Sequence, residues 1–138
     1  MFNRNITNEL KKWAERPSRK PLILRGARQV GKTTAVDLFS KDFDQYIYLN
    51  LEKVEHRDIF EQQYPFTDLL TTLFIFAQKQ RSGGKTLIFI DEIQNSPKAI
   101  ALLRYFYEEA NDLFVIAAGS LLESIMGKNI SFPVGRVE

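Results

Sequence analysis

The stretch that most constrains the fold is PLILRGARQVGKTTAVDLF, residues 21–39. A short apolar run ends there at Gly26, and a pattern with helical spacing begins near Lys32. Between them, the residues from Gly26 to Thr33 fit the spacing G-x-x-x-x-G-K-[ST] without a gap. The segment therefore predicts a strand, a glycine-rich turn and a helix in direct succession.

Such a turn is suited to holding a di- or triphosphate. Glycines permit backbone torsions and close approaches that a Cβ atom would block, so successive N–H groups can converge on phosphate oxygens. The helix that follows directs its free N–H groups and positive dipole end at the same anion. We expect Lys32 to reach the β- and γ-phosphates and the hydroxyl of Thr33 to bind Mg²⁺. The predicted nucleotide-binding residues are Gly26, Ala27, Arg28, Gln29, Val30, Gly31, Lys32, Thr33 and Thr34.

Helix and strand signals alternate along the whole chain. Helices are predicted at residues 6–16, 32–40, 66–80, 96–110 and 121–127, and strands at residues 21–26, 45–52, 86–92 and 113–120. The strand runs are apolar throughout, which is typical of strands covered on both faces, and their helical connections favour a parallel sheet. The sequence therefore predicts a three-layer α/β fold, truncated before or at a fifth strand.

Two carboxylates, Asp91 and Glu92, close the apolar run LIFI. In open α/β sheets, ligands bind outside the carboxyl ends of the strands, so both side chains should face the phosphate-binding turn. Asp91 is then suited to a water-mediated contact with Mg²⁺. Glu92 is suited to orienting a water molecule in line with the γ-phosphate and taking a proton from it.

Three further polar residues each allow two interpretations, and a fourth allows one. Ser120 either hydrogen-bonds the γ-phosphate or the attacking water, or caps a following helix. Asn50 either holds Glu92 away from the water or belongs to an ordinary turn. Arg136 is either a cation that stabilises the transferring phosphoryl group or a solvated side chain. His56, in the polar stretch KVEHRD, is predicted to be a surface residue.

Composition excludes several classes of protein. A 138-residue chain with 44% hydrophobic and 26% charged residues is typical of one globular domain. Lys and Arg number 19 against 17 Asp and Glu, a balance too even to predict a nucleic-acid partner. Cysteine is absent, which argues against disulfides and thiolate metal sites. No run approaches the ~20 apolar residues that span a bilayer, and we expect a cytoplasmic protein.

With these motifs in place, the chain resembles a bacterial and archaeal family of AAA-type P-loop ATPases. The resemblance rests on KPLILRGARQVGKTT, YLNLE, LIFIDEIQ and AAGSLLE, in that order, and it spans nearly the whole chain. It implies a Walker A motif at Gly26–Thr33, a Walker B motif at Leu87–Glu92, a sensor at Ser120 and a GR element at Gly135 and Arg136. It also implies the sheet order 5-1-4-3-2, with ATP and Mg²⁺ as cofactors.

The resemblance completes the predicted site. The predicted catalytic residues are Glu92, Lys32, Ser120 and Arg136, and the predicted metal ligands are Thr33 and Asp91.

Family members usually continue into a helical region and a C-terminal domain similar to restriction-type nucleases. The resemblance therefore implies that residues 1–138 are the N-terminal ATPase domain of a longer protein, with residues 1–20 forming a helix that packs on the core. The missing domain or a partner protein would respond to hydrolysis, and nucleic acid is a partner by family analogy alone. Stopping near Glu138 would leave the first strand with an unpaired edge, through which copies of the chain would associate.

Three functions are compatible with these residues. The leading one is Mg²⁺-dependent ATP binding and hydrolysis, coupled to a conformational change in an attached domain or partner. A nucleotide-dependent switch with little intrinsic hydrolysis is the second. A P-loop kinase is the third and the least favoured, because Glu92 directly after Asp91 favours water as the nucleophile. ATP is favoured over GTP because no Asn-Lys-x-Asp element for reading guanine occurs.

Overall fold

The computed structural model describes residues 4–26, 29–119 and 134–137. Helices and strands alternate along these parts of the chain, as predicted. The elements are α1 (Arg4–Ala14), β1 (Leu22–Gly26), α2 (Gln29–Phe39), β2 (Gln45–Asn50), α3 (Val54–Glu61), α4 (Phe66–Ala77), β3 (Thr86–Asp91), α5 (Pro97–Glu109), β4 (Phe114–Ala118) and β5 (Val134–Val137). The helix predicted at residues 121–127 lies outside the described residues.

The strands form one parallel sheet in the order β2-β3-β4-β1-β5. This is the order that the family resemblance implies. The expectation that the first strand has an unpaired edge is wrong, because β5 pairs with β1 from Ile23–Val134 to Gly26–Val137. With a neighbour on both sides, β1 offers no edge through which copies of the chain could pair.

The sheet separates two hydrophobic cores. Along β3, Ile88 and Ile90 point into one core, whereas Leu87 and Phe89 point into the other. Residues of α3, α4 and α5 close the first core, and residues of α1 and α2 close the second. Every residue of β3 is buried, as expected for a strand covered on both faces. The predicted three-layer α/β fold is therefore confirmed.

The N-terminal helix belongs to the second core. Ile6, Leu10 and Trp13 recur at helical spacing and are all buried. The indole Nε1 of Trp13 donates a hydrogen bond to the carbonyl of Lys20 at 2.7 Å. The indole ring also meets Phe114, at the start of β4, edge-on with 6.1 Å between centroids. Helix α1 is thereby joined to the sheet by both packing and a buried polar contact.

Two helices differ from the sequence prediction, and the start of a third agrees with it. Helix α3 was not expected, because only Ile59 and Phe60 of its residues are buried and the rest of the segment, apart from the exposed Val54, is polar. Helix α4 ends at Ala77, before the predicted end, because Gln78 adopts a left-handed backbone conformation with φ 58°. The start of α5 matches the prediction, since the hydroxyl of Ser96 caps it by accepting the N–H of Ala99 at 3.2 Å. No helix among the described residues is long and apolar enough to cross a membrane.

Candidate functional site

The candidate site lies at the carboxyl edge of the sheet, where β1 and β3 end and α2 begins. Asp91 is the last residue of β3 and lies beside Asn50, the last residue of β2. Lys32, in the first turns of α2, is only 9% exposed. Burial raises the pKa of Asp91, and the positive charge of Lys32 is among the influences that oppose this rise. The fold therefore brings the predicted lysine and the first predicted carboxylate together.

Helix α2 begins at Gln29 rather than at the predicted Lys32. Nothing at Gly31 stops a helix, because an interior glycine costs only about 1 kcal/mol relative to alanine. The first four N–H groups of a helix have no partner within it, so those of Gln29–Lys32 point out of the helix end. The first turn carries no acidic residue. No acidic side chain of the first turn therefore neutralises the positive end of the helix dipole, which suits an anion-binding site.

Asp91 is held rigidly by hydrogen bonds, with only 1% of its surface exposed. Its Oδ2 accepts a hydrogen bond from the hydroxyl of Tyr48 at 2.9 Å. Its Oδ1 accepts the N–H of Glu92, also at 2.9 Å. Burial raises the pKa of Asp91, whereas these two hydrogen bonds and the charge of Lys32 oppose that rise. The carboxylate is thus oriented and has one cation close by.

Tyr48 is a site residue that the sequence analysis missed. Its hydroxyl, besides donating to Asp91, forms a side-chain hydrogen bond with Thr33. Burial and then the negative charge of Asp91 raise the pKa of Tyr48, so the hydroxyl stays protonated. The alternation of QYIYLN, which puts Tyr48 on the same face as Asn50, was the available signal. The hydroxyl lies between the two side chains predicted to bind Mg²⁺.

Glu92 leaves the line of the strand through a left-handed backbone conformation, with φ 53° and ψ 43°. Its carbonyl accepts hydrogen bonds from the N–H of Asn95 at 3.1 Å and from Asn95 Nδ2 at 3.0 Å. Its carboxylate Oε1 accepts a hydrogen bond from Gln94 Nε2 at 2.9 Å. A positive φ at a non-glycine residue costs of order 1–3 kcal/mol, and such strain clusters at functional sites. Gln94 is a second residue that the sequence analysis missed.

Asn50 follows the turn interpretation. Its Oδ1 accepts the N–H of Glu52 at 3.0 Å, and its own N–H donates to Nδ1 of His56 at 2.9 Å. Gln94 is a side chain that does bond to the carboxylate of Glu92. Asn50 instead shapes the chain where it leaves β2.

The remaining predicted residues divide into two groups. Gly26 ends β1, and Thr34 is exposed on α2. The main chain of Arg136 lies in β5 opposite Arg25, at the carboxyl edge of the sheet. Three predicted residues lie outside the described residues, namely Ala27, Arg28 and Ser120.

The arrangement fits a magnesium ion. Mg²⁺ is commonly held by one or two protein oxygens together with substrate phosphates and waters, rather than by a cage of protein ligands. Thr33 and Asp91 supply two such oxygens, separated by a single hydroxyl group. Within the described ranges, no three His, Asp or Glu side chains cluster into a site that would hold a metal ion by themselves.

His56 is not the surface residue that the sequence suggested. It is half-buried, accepts the N–H of Asn50 at Nδ1, and meets the ring of Phe76 edge-on with 5.2 Å between centroids. Burial, followed by the positive charge of Lys53, lowers the pKa of His56 below its usual 6.5. The neutral ring is therefore the form that the fold stabilises.

We expect acid to weaken the fold through His56. Because its pKa is lower in the folded state, the unfolded chain binds the proton first, and stability falls as the pH drops below 6.5. Protonation also removes the acceptor for the N–H of Asn50. His56→Asn, which can offer an oxygen acceptor that does not titrate, should lose less free energy of unfolding between pH 7.5 and pH 5. Urea unfolding at several pH values measures this, and parallel pH profiles for both proteins would contradict it.

Comparison with known proteins identifies the family of this chain. A family model described as an AAA domain matches residues 18–138. The Replication factor C large subunit of Methanocorpusculum labreanum is 30% identical to this chain over 93 residues. The aligned part covers 67% of this chain and 18% of that protein, so the chain spans only a small part of that relative's length. Helix α1 precedes the family match, although Trp13 packs in the same core as the matched strands.

Proposed function

Because the chain belongs to the AAA domain family, we propose that it binds ATP together with Mg²⁺ and hydrolyses the γ-phosphate. Family membership supports a nucleotide-dependent ATPase function in general. The observation that carries the finer proposal is the meeting of two motifs at one edge of the sheet. Lys32 acts electrostatically on Asp91, and Thr33 shares the hydroxyl of Tyr48 with the same carboxylate.

In this proposal the start of α2 binds the phosphates. The N–H groups of Gln29–Lys32 point out of the helix end and donate to phosphate oxygens. Lys32 adds a positive charge to the β- and γ-phosphates. Thr33 and Asp91 orient the metal ion, which when bound neutralises negative charge on the phosphate oxygens.

Glu92 is the proposed general base. As a water oxygen attacks the γ-phosphorus, a proton of that water moves to the carboxylate of Glu92, and the bond from phosphorus to the β-γ bridging oxygen breaks. Gln94 Nε2 donates to Oε1 of this carboxylate and so helps to orient the base. We assign Ser120 to sensing the γ-phosphate and Arg136 to stabilising the transferring phosphoryl group. The position of Arg136 in β5, next to β1, supports that assignment.

Hydrolysis is proposed to drive a conformational change in an attached domain or a partner protein. The matched relative is much longer than the part it shares with this chain, which supports a further domain as the recipient. The short 3-10 turn at Ile93–Asn95 leads directly from Glu92 into the capped start of α5. Movement at the nucleotide can thereby pass to α5 and to the face of the sheet that it covers.

The function is tested by adding Mg-ATP to the purified chain. At a hundred times its Kd, a bound ligand should stabilise the fold by about 2.7 kcal/mol, seen as a higher Tm. Lys32→Ala should lose this stabilisation and all phosphate release. Lys41→Ala, which removes an exposed lysine outside the site, is the matched control.

The outcomes separate the candidate functions. A rise in Tm together with phosphate release supports an ATPase. A rise in Tm without phosphate release supports the nucleotide-dependent switch instead. An equal rise in wild type and Lys32→Ala would contradict the proposed phosphate site.

A further inference from the structure

We propose that Gln94 is a positioning residue for hydrolysis. It holds the carboxylate of Glu92 by a hydrogen bond, and the space for the Gln94 side chain depends on the absence of a side chain at Gly119. The proposal rests on the proposed function and concerns the control of the same site. Three observations carry it.

The first observation is the bond between the two side chains. Gln94 Nε2 donates to Glu92 Oε1 at 2.9 Å across the short turn after β3. The turn itself is fixed, because Ile93 is fully buried and its carbonyl accepts the N–H of Ser96 at 3.0 Å. Asn95 fastens the other side by donating twice to the carbonyl of Glu92. The main chain that carries Gln94 is therefore held in place while its side chain bonds to Glu92.

The second observation is the close approach of β4. A Cβ atom built on Gly119 would lie 2.2 Å from Gln94 Oε1 and 3.2 Å from the main-chain nitrogen of Ile93. Both distances are shorter than ordinary van der Waals contact. The end of the Gln94 carboxamide is thus wedged between the carboxylate of Glu92 and the main chain after β4, and any larger residue at Gly119 would displace it.

The third observation concerns the oxygen, Oε1, of the Gln94 carboxamide. Among the described residues, Gln94 Oε1 is buried and has no hydrogen-bond partner. The reverse orientation would set this oxygen against the carboxylate of Glu92, placing two acceptors together. The NH₂ group must therefore face Glu92, although the oxygen is left without a donor. Within the described residues, the bond to Glu92 thus leaves a buried acceptor without a donor, which is unfavourable.

These contacts connect two proposed functional positions. Gly119 immediately precedes Ser120, the proposed sensor of the γ-phosphate. A shift of the main chain at Gly119 changes the space open to Gln94, and Gln94 in turn sets where the carboxylate of Glu92 points. Because misplacing a catalytic group by about 1 Å can cost about a hundredfold in rate, this is enough to turn hydrolysis on or off.

The kinetic test uses Gln94→Ala, Gly119→Ala and the double variant. Each single variant should lower kcat for ATP hydrolysis about 10- to 100-fold, with the Kd for ATP unchanged. The double variant should be no slower than Gln94→Ala, because alanine at position 94 no longer occupies the space that the new methyl group needs. For the same reason, Gln94→Ala should restore part of the Tm that Gly119→Ala lowers, while the tight approach to the main-chain nitrogen of Ile93 remains. Gln63→Ala, at an exposed position, is the control.

A second measurement does not depend on activity. The side-chain amide signals of Gln94, identified by their loss in Gln94→Ala, should shift in a ¹H–¹⁵N spectrum when Glu92 is replaced by alanine. The size of the chain, 16.0 kDa, suits this experiment. Unchanged amide signals would show that the side chains do not touch and would overturn the proposal.

The outcomes also separate this proposal from the proposed function. A kcat of Gln94→Ala within twofold of wild type, or multiplicative losses in the double variant, would overturn the role of Gln94 and leave the ATPase function standing. Absence of phosphate release from the wild type would overturn the hydrolytic function, and with it the catalytic role of Gln94. The spectrum would then still decide whether Gln94 holds Glu92.

Discussion

Replacing Glu92 by glutamine is expected to lower phosphate release from Mg-ATP by about 100-fold or more, because a general base contributes 10²- to 10⁴-fold to such a step. Glutamine keeps the size of the side chain and keeps an oxygen that can accept the hydrogen bond from Gln94 Nε2. It cannot take a proton from the attacking water. The proposed site binds ATP through Lys32, Thr33 and the start of α2, so the Kd should change by less than about threefold.

The measurement is single-turnover phosphate release, paired with retention of ATP on the protein. Glu92→Gln should trap ATP, whereas Glu109→Gln, an exposed change at the far end of α5, should behave as wild type. Release by Glu92→Gln at the wild-type rate would remove Glu92 from the role of base. Loss of ATP binding in the same variant would instead assign the residue to holding the metal ion or the phosphates.

The motifs were predictable from sequence because each depends on residues close together along the chain. The glycines and the Lys-Thr pair mark the junction of β1 and α2, and the apolar run before Asp91 marks the end of β3. The position of both ends at one edge follows from the parallel sheet. Sequence patterns therefore predicted that the start of α2 and the end of β3 lie at the same edge of the sheet.

The contacts that orient these side chains were not predictable. Tyr48 reaches Asp91 only because β2 and β3 pair with Tyr48 opposite Phe89 and Asn50 opposite Asp91, a register that no local pattern fixes. Gln94 reaches back to Glu92 only because Glu92 adopts a positive φ, which sequence does not predict for a glutamate. In both cases the missing information is a backbone geometry set by tertiary packing.

The start of one helix and the existence of another were predicted wrongly for a related reason. The early start of α2 at Gln29 and the unexpected α3 both lie where local preferences are weak. Ile59 and Phe60 supply the buried face of α3, but two neighbouring apolar residues do not establish a helical period. Such segments take their conformation from the core they pack against.

Replacing Trp13 by alanine is expected to lower the free energy of unfolding by about 3–5 kcal/mol, a large share of the 5–15 kcal/mol typical of a domain. Trp13 is 1% exposed, and its ring packs between Phe39 of α2 and Phe114 of β4. The change removes these contacts and also leaves the carbonyl of Lys20 without the indole donor. Although it precedes the family match, α1 should therefore be essential to the stability of the AAA domain.

Urea unfolding followed by circular dichroism measures this loss, since the variant lacks the only tryptophan and so its fluorescence. Trp13→Phe, which keeps most of the volume but not the N–H group, should lose less, about 0.5–1.5 kcal/mol for the lost hydrogen bond to the carbonyl of Lys20. Lys12→Ala, exposed on the same helix, should change stability by less than about 0.5 kcal/mol. If Trp13→Ala were as stable as Lys12→Ala, α1 would contribute nothing to the stability of the fold. This is the contradicting outcome because a helix that completes the second core cannot lose its largest buried side chain without weakening the packing against the sheet.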